Sequence, residues 1–189
     1  MLNGLCKKIV FILMMLVVAE AFLGCGKDGA TGGSGAVGPA GPVVSDISAH
    51  YVNGVAQSIG NSSMTVVNFD TKTFDSNSAV STGVAWKFTA PTTGLYSFDV
   101  SVRIGSGCSW TASTTRQLQL LANGSSVVAD LDFANDTISH THAVTLRGST
   151  IIRLSANDFI SAQVFQDTGG TCTINTGIAT AISIARIGD

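Results

Sequence analysis

Two histidines separated by one residue, His140-Thr141-His142, are the first candidates for chemistry. In an extended chain this spacing puts both imidazoles on one side of a strand, where they can hold zinc or copper. The spacing supplies no third ligand, so the same pair also reads as part of an exposed strand. Just upstream, Asp130-Leu131-Asp132 and Asn135-Asp136 gather hard oxygen donors within seven residues. Asp130, Asp132 and Asp136 together suit Ca²⁺, although the loop glycine and terminal glutamate of an EF-hand are absent. A solvated turn is the plainer reading. Cys108 and Cys172 each follow a glycine-rich stretch, Gly105-Ser106-Gly107 and Gly169-Gly170-Thr171, and no partners stand at the spacing of a metal site. Trp110, two residues past Cys108, reads either as a loop-borne contact for a ligand or as a cap on the end of a core. No G-x-S-x-G, phosphate loop or HExxH occurs, so nothing in the motifs points to an enzyme, and no cofactor is required.

Composition narrows the classes further. The chain has 189 residues, 45% hydrophobic and 12% charged, which fits one domain with a short appendage and argues against disorder. A formal charge of -2 supplies no basic footprint, so a nucleic-acid partner is excluded. The only glutamate is Glu20, and from residue 25 onward eight Lys and Arg face eleven Asp. Paired-carboxylate catalysis would have to use two Asp. A region without Glu, poor in Lys and rich in Thr, Ser, Val, Ile and Gly is made for strands rather than surface helices.

Residues 1–24 read as an export signal. Lys7 and Lys8 precede an unbroken apolar run of ten, Ile9 to Val18. That is too short for a membrane span of about 20 residues and suits a signal core. Ala19-Glu20-Ala21 offers cleavage after Ala21 and a soluble product. Alternatively, Phe22-Leu23-Gly24-Cys25 resembles the lipobox of bacterial lipoproteins. That resemblance implies a lipid on Cys25 and a membrane anchor through it. Gly26 follows the cysteine where an Asp would signal inner-membrane retention, which implies the outer membrane or cell surface of a diderm bacterium.

From Gly26 glycine recurs at 29, 32, 35, 38 and 41, with Pro39 and Pro42 directly after glycines. Only glycine fits the crowded axis of three polyproline II chains, and proline presets their angles. Residues 25–43 thus form the lipid-site cysteine and a collagen-like stalk resembling bacterial collagen-like surface proteins, reaching roughly 55 Å if fully extended. So few triplets need a trimeric head to hold them. The competing reading is a Gly/Ser linker.

Residues 44–189 form an all-β head. Tyr96, Phe98, Val100 and Val102 alternate with Ser97, Asp99, Ser101 and Arg103. Leu118 and Leu120 alternate with Gln117 and Gln119, and Asn123-Gly124 is a hairpin turn before Val127-Val128. Ile160, Ala162 and Val164, then Ile178, Ile182 and Ile184, mark later strands. Ile47, Ala49 and Tyr51 share one side of the first strand, which makes His50 a packed or interface histidine.

The stretch Phe88-Thr89-Ala90-Pro91-Thr92-Thr93-Gly94-Leu95-Tyr96-Ser97-Phe98 resembles the central signature of C1q/TNF-like domains. Phe69 and Asp75 are similar to its upstream part, with a gap to Phe88 one residue longer than usual. Val100 stands where that family has an aromatic. Gly148 to Asp158 resembles its penultimate hairpin, with Asn157 in place of glycine. The resemblance covers about 46–189 and implies a ten-stranded jelly-roll sandwich assembled as a homotrimer, with Phe88, Pro91, Gly94, Tyr96 and Phe98 as signature and core residues. It implies that the strand before Cys108 and the strand after Cys172 are antiparallel neighbours. A disulfide between these cysteines is the state expected in an oxidising compartment; two free thiols are the alternative. Calcium in the wider family extends the reading of Asp130, Asp132 and Asp136.

These readings combine into an exported, lipid-anchored, trimeric, non-enzymatic surface module for binding or adhesion. Its protein or glycan ligand would meet the loops around 105–115, 123–126, 134–139 and 166–176. A structural component of the surface or an appendage, and a jelly-roll enzyme acting on polysaccharide, are the alternatives.

Overall fold

The structure is a computed structural model that describes residues 46–189. The signal segment 1–24, Cys25 and the Gly-X-Y stretch to residue 43 lie outside the described residues. Among the described residues there are thirteen strands and no helix. They are β1 (Ser48–Asn53), β2 (Gln57–Ile59), β3 (Thr65–Val66), β4 (Thr71–Asp75), β5 (Val80–Ser81), β6 (Lys87–Thr89) and β7 (Gly94–Ile104). There follow β8 (Thr115–Ala122), β9 (Ser126–Asn135), β10 (Val144–Leu154), β11 (Phe159–Gln166), β12 (Cys172–Ile174) and β13 (Gly177–Gly188).

Two sheets face each other. In the first, β7 is central. On one side β13, β1 and β4 follow in that order, while β10 pairs β7 from Val144↔Ile104 to Leu154↔Gly94. Strands β12 and β2 attach near Ile104. The second sheet runs β5-β6-β11-β8-β9, with β3 also on β11. This is an all-β jelly roll. Its count exceeds ten because five segments are only two or three residues long.

The alternation read in β7 is real. Tyr96, Phe98, Val100, Val102 and Ile104 are buried, while Asp99 and Arg103 are exposed. Facing them from the second sheet are Phe88, Leu118, Leu120, Ile160, Ala162 and Val164, all fully buried. Phe88 joins the layers, its ring 5.5 Å from Tyr96 and 5.9 Å from Phe98 in tilted and edge-on geometry. Gly94 must lack a side chain, because a Cβ there would stand 2.6 Å from the carbonyl oxygen of Gly188 on β13. At the opposite edge a Cβ on Gly148 would stand 2.7 Å from the carbonyl oxygen of Leu131. Glycine there lets β9 close over β10, and Arg147 N donates to Asp132 Oδ2 at 3.0 Å across the seam.

Two expectations are corrected. Gly148 to Asp158 is no hairpin: β10 belongs to the first sheet and β11 to the second, so the chain crosses between layers. Asn157 does take the left-handed conformation the connection needs, at φ 73°. Ile178, Ile182 and Ile184 all lie on β13, with Ile182 and Ile184 buried and Ile178 89% exposed. The pairing of β13 with β1 jumps from Val52↔Ala181 to Asn53↔Gly177, so residues 178–180 bulge out of register. Pro91 is exposed in the turn between β6 and β7, a signature position outside the core.

Candidate functional site

The loop leaving β7, the loop between β9 and β10 and the loop leaving β11 meet at one end of the sandwich. Backbone bonds tie the first to the second, and to β12, which follows the third. Gly105 N donates to Thr173 O, Gly107 N to Thr141 O, and Ser113 N to Asp136 O. Cys108 and Cys172 form a disulfide with Cα atoms 5.4 Å apart, linking the loop after β7 to β12. Both half-cystines are buried. The turn at 123–126 lies elsewhere. Asn123 and Gly124, at φ 52° and 78°, close the β8–β9 hairpin as the Asn-Gly pair predicts, at the end where Asn123 N donates to Phe159 O. The four expected contact loops therefore form one cluster of three, with the fourth apart from it.

Trp110 is 1% exposed and exchanges both backbone hydrogen bonds with His140. It caps the core and is not presented to a ligand. Around it stands a cluster that alternates charge and aromatic surface. The Arg116 guanidinium sits 5.6 Å from the Trp110 ring centroid and pairs with Asp136. His140 Nε2 lies 3.2 Å from the same Asp136 oxygen, Oδ1. His142 stacks on His140 with centroids 3.9 Å apart. Burial works to raise the Asp136 pKa, but the hydrogen bonds and charges of Arg116 and His140 together outweigh it and hold the carboxyl below its ordinary value.

That direction predicts an acid limit. A carboxyl whose folded pKa is depressed adds stability above its unfolded pKa, near 3.8, which is lost as pH falls through the folded value. Asp136→Asn is expected to destabilise the head at pH 7, and the gap to the parent should narrow below pH ~3.8. Urea melts between pH 7 and pH 3 check it; a gap independent of pH would remove Asp136 as the titrating group.

Among the described residues no group of three His, Cys, Asp or Glu side chains converges on one point. Asp130 accepts from Gln117 Nε2 on β8, Asp132 accepts from Arg147 N on β10, and Asp136 is taken by Arg116 and His140. Bulges between β8 and β9 turn these carboxylates to different neighbours. The stacked histidines present ring faces to one another, whereas metal binding needs their nitrogen lone pairs aimed at a shared point.

Two features escaped sequence reasoning. Gln166, fully buried at the end of β11, organises the disulfide loop: its Nε2 donates to Gly60 O and Gly170 O, and its Oε1 accepts from Thr168 N and Oγ1. Only its position at a strand end before Asp-Thr-Gly-Gly hinted at this. The second feature is a row across the outer face of the first sheet, where His50, Ser183 and Asp99 are register partners on β1, β13 and β7. His50 Nδ1 lies 2.9 Å from Ser183 Oγ. The serine stands between the histidine and the aspartate, whereas a catalytic triad needs the imidazole in the middle.

No protein-family model matches the chain, and no curated protein does. Solved structures do match. A TNF, Eiger, from S. frugiperda superposes with a TM-score of 0.55 at 11% identity, covering 76% of this chain and 94% of that one. The globular domain of the zebrafish complement 1qA protein gives 0.52 at 14% identity, covering 75% and 97%. Murine APRIL gives 0.53 at 11% identity, covering 75% and 99%. With two sheets in the order described, a buried Phe88–Tyr96–Phe98 junction and these superpositions, the head has the TNF/C1q-like jelly-roll fold.

Proposed function

We propose that the chain is an exported, lipid-anchored, trimeric and non-enzymatic surface module for recognition, with the jelly roll as its head. The observation that carries this is an exposed apolar patch beside an open hollow on the same lobe. The edge where β9 meets β10 exposes Phe133 at 58% and Ile151 at 59%. The outer face of the first sheet holds an open hollow of about 440 Å³, where His50, Asp99 and Arg147 stand around the small side chains of Ser101, Ala181 and Ser183. Ile151 pairs with Ser97 and follows the hollow's Ser149 by two residues on β10, so patch and hollow adjoin on one outer face, and exposed apolar surface of this kind suits a contact with another copy of the chain. A Gly-X-Y segment needs three chains, which selects a ring of three. Three heads on one anchor give weak single contacts the avidity expected of adhesion.

Light scattering on residues 44–189 is expected to return three times the chain mass, and Phe133→Ser to shift it toward one. A parent head that is monomeric at micromolar concentration overturns the assembly. Labelling with palmitate, lost in Cys25→Ser, tests the anchor; equal labelling of both chains removes it.

A further inference from the structure

We infer that the outer face of the second sheet carries a binding groove for a saccharide unit bearing a carboxylate. The groove, of about 270 Å³, lies along β11 beside β6 and is lined by Val66, Trp86, Lys87, Phe159, Ser161 and Gln163. The inference rests on the reading of the head as a recognition module but is independent of its oligomeric state.

Four observations meet there. First, Lys87 takes no part in the ion pairs of the described residues, which join Arg116 and His140 to Asp136 and Arg186 to Asp189. Its Nζ is held 4.8 Å from the Phe159 ring centroid. A cation–π contact orients the ammonium but accepts no conventional hydrogen bond, so its donors stay available to a carboxylate. Second, Trp86 is 1% exposed and its indole Nε1 is buried without a hydrogen-bond partner. The indole belongs to the core cluster, edge-on to Phe69 at 5.1 Å, so this donor lies behind the groove wall and reports on what occupies the groove. Third, Phe159, Ser161 and Gln163 follow at two-residue intervals on β11, so a hydroxyl and an amide share a face with the aromatic ring. Fourth, the groove is smaller than the ~300–1,000 Å³ of sites for drug-sized ligands, which limits the occupant to about one ring.

Together these features describe the ligand. One cation matches one negative charge, where a doubly charged phosphate would ask for more. The aromatic ring and Val66 suit the apolar face of a pyranose, while Ser161 and Gln163 suit its hydroxyls. A uronic acid residue has all three parts. The groove belongs to the second sheet, whereas the hollow assigned to the neighbouring copy belongs to the first, so a trimer leaves the groove open.

The test uses the full-length protein in a mild detergent. Its probes are a disaccharide ending in glucuronate, the matching disaccharide ending in glucose, and a dipeptide with a free carboxylate. Titration by NMR is expected to move the Trp86 indole N–H signal with the glucuronate probe. Affinity should fall at least about tenfold for the neutral sugar and for Lys87→Met, while Lys72→Met on β4 leaves it unchanged. Rising salt should weaken the acidic probe alone. Equal affinity for both sugars, binding of the dipeptide alone, an unmoved indole signal, or full affinity in Lys87→Met each overturns the proposal. If Lys87→Met does not fold, the two sugars and the salt series on the parent decide. Light scattering on the same samples separates the two readings: a monomer that binds glucuronate defeats the trimer only, and a trimer that does not bind it defeats the groove.

Discussion

Replacing Phe88 by alanine is expected to cost the head about 3–5 kcal/mol, the range for deleting a large buried aromatic. The phenyl ring is fully buried and stands on β6, a strand of three residues with little sheet pairing of its own. What holds β6 is the ring packed between Tyr96 and Phe98 of the opposite sheet. Neither neighbour has freedom to fill the space. Tyr96 is anchored by its hydroxyl, which donates to Thr92 O at 2.7 Å, and Phe98 sits in the middle of β7 with ladders on both sides. The cavity therefore stays open and the upper part of the range applies. Urea denaturation should show the midpoint falling with the slope preserved. A loss below about 1 kcal/mol would mean that the two layers are not joined at this point.

The residues that were legible in the sequence are those whose burial follows from a local rule. β7 has one buried face and one open face over eleven residues, so its period of two is clear. Asn123-Gly124 needs only its own backbone angles. What stayed hidden depends on partners distant in the chain. β2, β3, β5, β6 and β12 are too short to show a period: β3, β6 and β12 form on the longer β11 and β7, and β5 and β2 then add to β6 and β12. Ile178 obeys the alternation but is pushed out by a register shift that β1 imposes. Asp130 and Asp132 look like a shared ligand set until the β8–β9 bulges aim them apart. The Arg116–Asp136–His140 cluster joins β8 to the β9–β10 loop, and its only sequence signal is charge. Trp110 left two readings open, and the backbone exchange with His140 decides for the core.

Removing the disulfide is the second large effect. Cys108→Ser with Cys172→Ser is expected to lower stability by about 4 kcal/mol, from the entropy of an unfolded chain no longer closed over a separation of 64 residues. The loss should be global in equilibrium but local in motion. β7 keeps its full ladders to β10 and β13, so the sheet register persists without the crosslink. The loop after β7 is different. Gly107 is in a left-handed conformation at φ 112°, and beyond the crosslink this stretch is held by one backbone bond to Thr141 and the Trp110–His140 pair. Its partner loop is held by Gln166 and by Gly169 N donating to Asn61 Oδ1. Amide exchange should therefore quicken at Gly107 and Ser109 well before it does at Val100 or Val102, and more than at Thr168 or Gly169. Because both sulfurs are buried, mild reductant on the folded parent should leave exchange unchanged until the head begins to open. A double variant with an unaltered urea midpoint, or a parent that titrates as two free thiols when unfolded without reductant, would show that this end of the sandwich is held by hydrogen bonds alone.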